Sequence, residues 1–440
     1  MSQPASADAA RTIPQALPTS EAREALAAEI IGSLAVGDHG FHSKAVLRAP
    51  FGLATLFLNA TRNLFGNDKE ALPPGEVLLL IANPLAHGAR LASATQRSIH
   101  SRSVVTVADA RFADPSLKID YSFPGISSRS LKAATTFGRL FEGLRLRRSV
   151  PRTHQLIGSQ NHFYREYLFL AQALRFIEAR EIVSRLAPET VLVTDYDRHT
   201  YNWPWISAAN ERGLSTASLV HGSPNDSNYV PVLARNVLVW GQAQLSWFAE
   251  RSPDARAIVV GRPDLSNWTA DAPQRLRRVV VCHSREILSL TEVERITASV
   301  AAFQRRGLEV HLRLHPSMVE EGLDSNWARI SRMASSVSGG RESFAESISA
   351  SDVVVCVTST SAIDAITKGV LTLVLCDDDR VLPCDLGEVR RNAPSVLDAI
   401  EKRLAGSLAG TSVPRELVDH LIASRGPDAE ALLDSAVASL

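Results

Sequence analysis

The chain has 440 residues, of which 45% are hydrophobic and 21% charged, and its 47 Lys and Arg residues balance 47 Asp and Glu residues. That length exceeds what one hydrophobic core ordinarily organises, so we expect two globular domains, and the composition excludes a disordered chain. The balanced charge excludes a long-range field that would attract nucleic acid, so any site for a polyanion has to be local.

The N-terminal region gives few structural signals. Residues 1–18 are rich in Ala, Pro and Ser. We predict that they are disordered and not a secretory signal, because no basic start precedes an apolar stretch. A helical pattern runs from Ser20 to about Val36, and the apolar segment 44–66 carries three basic residues. No apolar run reaches the ~18 residues of a membrane-spanning helix, so we expect a cytoplasmic protein.

From residue 77 onward, short apolar runs alternate with amphipathic stretches, which is the pattern of βαβ units in parallel sheets. The predicted strands are 77–82, 103–107, 190–194, 216–220, 237–240, 278–282, 309–314, 352–357 and 372–375. The predicted helices are 162–186, 203–212, 290–306, 343–350, 361–368 and a region from about 393 to the end. The fold class is therefore α/β, with two Rossmann-like domains facing a central cleft.

A polar stretch at 266–274 separates the two halves and is predicted to be the linker. We place the first domain at 19–265, with a helical N-terminal extension, and the second domain at 275–395. Residues 396–440 are predicted to form C-terminal helices.

The four cysteines, at positions 282, 356, 376 and 384, form no Cys-x-x-Cys pair. Cys282 and Cys356 lie in or beside apolar runs, so we expect buried, reduced thiols. Cys376 and Cys384 have no nearby histidine that would complete a ligand set, so no zinc site is predicted.

The loop after strand 352–357 is the strongest candidate for a phosphate site. It reads Thr358-Ser359-Thr360-Ser361 and directly precedes a predicted helix. Hydroxyls and backbone N–H groups at a helix N-terminus favour a phosphate, so Ser359, Thr360 and Ser361 are predicted to bind one. Ordinary helix capping, which needs only one hydroxyl, is the alternative.

Two further loops supply cations, in the sequences His283-Ser284-Arg285 and Arg313-Leu314-His315-Pro316. Pro316 forces His315 into an extended conformation, and Arg313, two residues earlier, projects from the same face. A guanidinium and an imidazole there would offset the charge that grows on a departing phosphate. Ser284 and Arg285 are predicted to join the same phosphate site.

The first half offers different groups. A hydroxyl that attacks a donor loses its proton, and a carboxylate or imidazole in a cleft can take it, so Asp195 and His87 are candidate bases. His87 is placed in the loop after the first strand, and for His87 and Asp197 a bond to the local backbone is the alternative. His221-Gly222 is predicted to line the cleft at a sharp turn. Asp195 and Asp197 match a metal-binding pair of single-domain enzymes, which the two-half layout does not suit, so no metal is predicted.

The most specific motifs are Trp240-Gly241, Gly261-Arg262-Pro263, His315-Pro316 and the cluster 359–361. With the strands around them, over about residues 190–376, they resemble the two-domain GT-B enzymes of bacterial surface-polysaccharide synthesis. That group includes capsule glycosyltransferases, polysialyltransferases, teichoic-acid glycerophosphotransferases and, more distantly, non-hydrolysing UDP-sugar 2-epimerases. The resemblance implies that His315 contacts the donor phosphate, that 359–361 bind phosphate or ribose, and that no metal or other cofactor is needed. Arg262 stands where such families often have a small residue.

A run of five arginines lies in the stretch 139–152 on an apolar background. Such a cluster favours contact with the anionic inner face of the cell membrane, and the segment 44–66 would add to it. A solvated helix or an internal network of ion pairs is the alternative. Nucleic acid is not expected, because few aromatic residues are present for base stacking.

We therefore expect a metal-independent transferase, cytoplasmic or peripheral on the inner membrane face. It would move a sugar or related unit from a nucleotide-activated donor, CMP- or CDP-linked, to a glycan or lipid-linked acceptor. The alternatives are a non-hydrolysing UDP-sugar 2-epimerase and a catalytically inactive sugar-nucleotide-binding protein.

Overall fold

The computed structural model describes two α/β units and a C-terminal segment. The described residues are 54, 72, 74–82, 86–109, 117–123, 137–148, 162–198, 202–224, 229–265, 276–283, 288–315, 323, 325–339, 344–349, 351–356, 360–374 and 415–440. The features predicted for 1–18, 20–36 and the linker 266–274 lie outside these residues, and so does the segment 44–66 apart from Ala54.

The first unit contains seven parallel strands in the order β3-β2-β1-β4-β5-β6-β7. The strands are β1 (Val77–Ile81), β2 (Val104–Asp109), β3 (Tyr121–Phe123), β4 (Val191–Thr194), β5 (Ser215–Leu219), β6 (Asn236–Val239) and β7 (Arg256–Val259). The chain order reverses between β1 and β4, which pair from Val77 opposite Val191. Every residue of β1 is buried, as expected for a parallel strand that helices cover on both faces.

Five helices accompany this sheet. They are α1 (Ala86–Ser98), α2 (Phe137–Arg148), α3 (His162–Val183), α4 (Trp203–Arg212) and α5 (Gln242–Arg251). The helix predicted at 162–186 is α3, and it ends three residues earlier than predicted. Helix α1 corrects one prediction: it already begins at Ala86, so His87 lies in its first turn and not in the loop after β1.

Helix α2 carries part of the arginine-rich stretch and packs against α3. Arg139 is mostly buried, and its Nε donates a hydrogen bond to Glu181 of α3 at 2.9 Å. The internal ion-pair alternative is therefore confirmed for Arg139. Arg145 is exposed and lies 5.8 Å from the centroid of the Phe141 ring, which is itself 59% exposed.

The second unit contains five parallel strands in the order β10-β9-β8-β11-β12. The strands are β8 (Arg278–Cys282), β9 (Glu309–Arg313), β10 (Ser336–Ser338), β11 (Asp352–Cys356) and β12 (Leu371–Val374). The helices are α6 (Leu290–Arg305), α7 (Ser325–Met333), α8 (Phe344–Ser347) and α9 (Ser361–Thr367). Helix α6 begins with a capping box, in which the Ser289 and Glu292 side chains each accept the other residue's N–H.

Two C-terminal helices, α10 (Arg415–Leu421) and α11 (Gly426–Ala438), return the chain to the first unit. Helix α11 packs against α1. The Asp434 carboxylate of α11 accepts the N–H groups of His100 and Ser101, each at 3.0 Å, and the Ser101 hydroxyl at 2.7 Å. The Ser215 hydroxyl, at the start of β5, donates to the carbonyl of Leu440 at 2.7 Å. The first unit is thus completed by residues from the far end of the chain.

The two parallel sheets confirm the predicted fold class. Cys282 and Cys356 are buried free thiols on adjacent strands, which also confirms their prediction. Strands β3, β7 and β10 and helices α1, α5 and α7 were not predicted, and a helix in the region of α2 was given only as an alternative. The three strands are short and lie at sheet edges, and β3 and β10 lack the continuous apolar run by which the buried strands were found.

Candidate functional site

The carboxyl ends of the two sheets meet where the loop after β5 contacts Thr360, the residue before α9. The Thr360 Oγ1 accepts a hydrogen bond from the N–H of Ser223 at 3.1 Å. Ser223 ends the sequence His221-Gly222-Ser223, which begins two residues after β5. Ligands of parallel α/β sheets bind at the carboxyl ends of the strands, so this contact marks the candidate site.

Gly222 makes the close approach of the two units sterically possible. A Cβ atom at position 222 would lie 3.2 Å from the Thr360 Oγ1 and 4.0 Å from the Tyr229 hydroxyl. The first distance is tighter than an ordinary van der Waals contact, so a larger residue would push Thr360 away. The sharp turn predicted at His221-Gly222 therefore lies against the second unit.

Two tyrosines surround the imidazole of His221. The Tyr229 hydroxyl lies 3.1 Å from Nδ1 of His221 and accepts the N–H of His221 at 3.2 Å. The ring of Tyr196 contacts His221 edge-on, with ring centroids 4.9 Å apart.

These contacts favour one tautomer of His221. The phenol oxygen of Tyr229 already accepts the N–H of His221, so we interpret its 3.1 Å contact with Nδ1 as a hydrogen bond that the Tyr229 hydroxyl donates. Burial raises the pKa of Tyr229 well above its ordinary value, and the hydroxyl proton therefore stays in place. A neutral imidazole that accepts at Nδ1 carries its hydrogen on Nε2 and can donate it to an anion. We call Tyr196, His221, Gly222, Ser223, Tyr229 and Thr360 the junction site.

Asp195 ties together the two strands between which the chain order reverses. Its side chain is 1% exposed, and its oxygens accept the N–H of Ala82, after β1, at 3.2 and 3.1 Å. The Nδ2 of Asn202 also donates to it, at 2.6 Å. These contacts give Asp195 a structural role, and its predicted role as a base has no support in them.

Asp197 supports a distant loop. Its Oδ2 accepts the N–H groups of Leu233 at 2.7 Å and Ala234 at 2.9 Å. Burial raises the pKa of Asp197, and these N–H groups oppose that rise. These partners lie 36 and 37 residues away, and the backbone of the adjacent Arg198 also lowers the pKa of Asp197, in line with the alternative of a bond to the local backbone.

Arg313 and His315 follow a different strand end. Arg313 is 7% exposed, its Nη1 donates to the Ser347 hydroxyl at 3.2 Å, and its guanidinium lies 5.5 Å from the centroid of the Phe344 ring. Both partners belong to α8, which packs against α9. His315 is partly exposed, two residues after β9. The roles of Arg313 and His315 toward a phosphate stay predictions.

Several predicted residues cannot be placed in this way. Ser284, Arg285, Pro316 and Ser359 lie outside the described residues, as does the side chain of His87. Ser361 is the first residue of α9, next to Thr360, and is partly exposed.

Arg262 joins the two units. The sequence showed it only as part of the motif Gly261-Arg262-Pro263 and as a departure from the family pattern, and did not indicate this role. Its Nε and Nη2 donate to the two carboxylate oxygens of Asp264 at 2.7 and 2.8 Å, and its Nη1 donates to Asp364 of α9 at 3.3 Å. The guanidinium lies 4.2 Å from the centroid of the Trp240 ring. Burial would lower the pKa of Arg262, but the two carboxylates outweigh it and raise the pKa, so the group stays charged.

Tyr196 and Tyr229 are the other residues that the sequence did not reveal. Tyr196 lies between Asp195 and Asp197, and this position was the only feature of the sequence that pointed to it. Tyr229 is eight residues from His221, and only the folded loop brings its hydroxyl to the imidazole.

Among the described residues, no group of three or more His, Cys, Asp and Glu side chains is arranged to hold a metal ion. In the same part of the chain, none of the helices combines the length and the apolar composition of a membrane span.

No protein-family model matches the chain, and no curated protein sequence matches it. Among similar solved structures is a UDP-N-acetylglucosamine 2-epimerase from Rickettsia bellii, with 11% identity, a TM-score of 0.49 and coverage of 83% of this chain and 95% of that one. Another is Os79 from O. sativa, solved with UDP and deoxynivalenol-3-glucoside, with 13% identity, a TM-score of 0.46 and coverage of 82% and 99%. A third is UGT2 from Phytolacca americana, solved with UDP-2fluoro-glucose and pterostilbene, with 13% identity, a TM-score of 0.45 and coverage of 83% and 99%.

Proposed function

We propose that this chain is a GT-B transferase that binds a nucleotide-activated donor at the junction site. It passes a sugar or a glycerophosphate unit to a hydroxyl of a glycan or lipid-linked acceptor in surface-polysaccharide synthesis. One observation carries the proposal: the 3.1 Å bond between the Ser223 N–H and the Thr360 hydroxyl, which puts a histidine of one unit beside hydroxyl groups of the other. Transfer between two bound molecules needs groups from both units at one point.

The proposed step is a direct displacement. The acceptor oxygen bonds to the donor carbon (or phosphorus) as its proton leaves, the bond to the nucleotide phosphate breaks, and negative charge grows on that phosphate. The Nε2–H of His221 and the hydroxyls of Thr360 and Ser361 are proposed to donate hydrogen bonds to this charge. Arg313 and His315, from the end of β9 on the far side of β8 in the same sheet, are proposed to add positive charge.

The chain's own donors and cations make the proposed reaction independent of a divalent metal. With Asp195 enclosed by its hydrogen bonds, His87 remains the proposed base. The donor is proposed to be a CMP- or CDP-linked unit.

A lipid-linked acceptor would bring the enzyme to the inner membrane face. The exposed pair Phe141 and Arg145 on α2 suits an anionic surface, because an apolar ring and a cation lie side by side. We expect the Phe141→Ser variant to bind vesicles that contain anionic lipid more weakly than the unaltered protein.

Isothermal titration of the purified protein with CMP, CDP, UDP, GDP and dTDP tests the binding step. The His221→Gln variant is expected to bind the preferred nucleotide about 10- to 100-fold more weakly, since it loses a hydrogen bond to a charged group. His311→Gln is the matched control, because both ring nitrogens of His311 bond to serines of β10, at 2.8 Å each. If none of the five nucleotides binds, or if both variants bind alike, the proposal is wrong.

Turnover with donor alone separates the proposed transferase from its alternatives. A transferase releases nucleotide only when an acceptor is present, whereas a 2-epimerase converts a UDP-sugar without one. A protein that binds nucleotide and releases none under either condition is a binding protein. The His315→Ala variant is expected to slow turnover about 10²- to 10³-fold if His315 stabilises the departing phosphate.

A further inference from the structure

The strongest unassigned feature is the buried ion cluster around Arg262. Arg262 lies three residues after β7, where the chain leaves the first unit, and its side chain is 7% exposed. Its carboxylate partners, Asp264 and Asp364, are 6% and 18% exposed. Because a buried guanidinium is costly unless its donors are used, such a cluster has a defined geometry and not a fluctuating one.

The frame of this cluster belongs to the first unit and to the segment that leaves it. The Nε and Nη2 of Arg262 donate to the two carboxylate oxygens of Asp264 at 2.7 and 2.8 Å, and this bidentate pair fixes the plane of the guanidinium. The ring of Trp240, directly after β6, supports the guanidinium at 4.2 Å. The remaining nitrogen, Nη1, is thereby aimed at Asp364 of the second unit, at 3.3 Å.

Asp364 belongs to α9, the helix that follows Thr360. The same helix is held at its end by Arg425, whose Nη1 donates to the carbonyl of Thr367 at 2.9 Å. Arg425 and Arg262 lie on two segments that cross between the units and pair as a parallel bridge. Two arginines therefore hold α9, one near its middle and one at its last residue.

The two crossing segments fit closely. The N–H of Arg262 donates to the carbonyl of Ser424 at 2.9 Å, and the N–H of Gly426 donates to the carbonyl of Arg262 at 3.3 Å. A Cβ atom at Gly261 would lie 2.4 Å from the same Ser424 carbonyl, and the φ of Gly261 is 75°. The crossing therefore gives Arg262 a fixed base from which its side chain reaches the second unit.

We propose that Arg262 is a positioning residue that holds α9 through Asp364 and so keeps Thr360 against Ser223. Its frame is the pair Asp264 and Trp240. Loss of the link between Arg262 and Asp364 lets the two units separate at the junction site while each sheet stays folded. The effect on the junction is independent of any ligand, and a loss of nucleotide affinity in the same variants rests on the proposed function.

Hydrogen exchange of the full chain without ligand tests this proposal, because the Ser223 amide donates directly to Thr360. In the Arg262→Met variant, exchange in the peptide that contains Ser223 is expected to accelerate about 10- to 100-fold, with β5 and β11 unchanged. Arg278→Met is the matched control. It removes a bidentate pair with Asp352, at 3.0 and 2.7 Å, that lies wholly within the second unit, and it is expected to leave Ser223 protected.

Asp364→Ala provides a second variant that leaves the Arg262–Asp264 pair intact. It is expected to accelerate exchange at Ser223 as Arg262→Met does, and Arg262→Lys, which keeps the charge without the fork, is expected to give an intermediate rate. Unchanged exchange at Ser223 in both Arg262→Met and Asp364→Ala overturns the proposal. Equal acceleration by Arg278→Met, or acceleration spread over both sheets, overturns it as well, since either result indicates a general role in stability.

Titration of the same variants with the preferred nucleotide keeps the two proposals apart. Weaker binding by Arg262→Met and Asp364→Ala, but not by Arg278→Met, supports both. If the unaltered protein binds no nucleotide, the proposed function fails, and the exchange result still decides the role of Arg262.

Discussion

The Tyr229→Phe variant tests the arrangement around His221 most directly. The substitution keeps the buried ring and removes one oxygen, which accepts the N–H of His221 at 3.2 Å and lies 3.1 Å from its Nδ1. Removing the acceptor of the His221 N–H costs about 1–3 kcal/mol. Because His221 is partly exposed, we add no second cost for the lost contact at its Nδ1. At ~2–4 °C per kcal/mol for a unit of this size, the melting temperature should fall by about 2–12 °C.

The tautomer gives a sharper test than stability. In the unaltered protein, ¹⁵N-resolved NMR of labelled histidine, assigned with His221→Gln, should show His221 with its hydrogen on Nε2. In Tyr229→Phe this preference should weaken, because the hydroxyl that donates to Nδ1 is removed. Tyr196→Phe keeps Tyr229 and the ring that touches His221, so it is the matched control and should leave the tautomer unchanged. A hydrogen on Nδ1 in the unaltered protein would refute the donor role assigned to His221.

Two further predictions concern the packing of the chain. Gly261→Ala should destabilise the protein by at least ~1–2 kcal/mol from the left-handed backbone alone, and by more because the new Cβ atom would lie 2.4 Å from Ser424. Chemical denaturation measures this change. An unchanged denaturation midpoint would contradict the close fit of the crossing segments. Burial tends to raise the pKa of Asp434, but hydrogen bonds from Ser101 and His100 outweigh burial and lower the pKa. The stability that Asp434 adds is therefore present above the ordinary pKa of an Asp and is lost as the pH falls through the lowered pKa of the folded protein. Asp434→Asn keeps an acceptor without the charge, so its melting temperature should fall less between pH 7 and pH 3 than that of the unaltered protein; equal falls would rule out this contribution.

The parts of the fold that could be predicted from the sequence are those that depend on the residues of one segment alone. The runs of β1, β8 and β11 are apolar and buried, and such runs are visible without any knowledge of their neighbours. Strand β7 was missed although Ala257, Ile258 and Val259 are consecutive apolar residues; it is short, lies at a sheet edge and is partly exposed.

The candidate site was predicted in part for the same reason. The residues after strands, such as His221 and Thr360, follow from the rule that ligands meet the carboxyl ends of parallel strands. Which of them touch depends on contacts over long separations: Ser223 and Thr360 are 137 residues apart, and Arg262 and Asp364 are 102 apart. Asp195 is predicted to be catalytic because a carboxylate after a strand has the same sequence signature whether it faces a substrate or two internal donor groups.

The return of α11 to the first sheet also sets the order in which the protein can form as it is synthesised. The second unit occupies one continuous stretch, from β8 to β12, and its strands are complete long before α11 is made. The core of the first unit is complete only after α11 is made, because Leu433 and Val437 of α11 belong to the same apolar cluster as Val77 and Leu79 of β1. Leu91 and Ala92 of α1 belong to the same cluster, but the part of this face that α11 covers remains in contact with water until α11 leaves the ribosome. This part is the surface that a nascent-chain chaperone would have to shield.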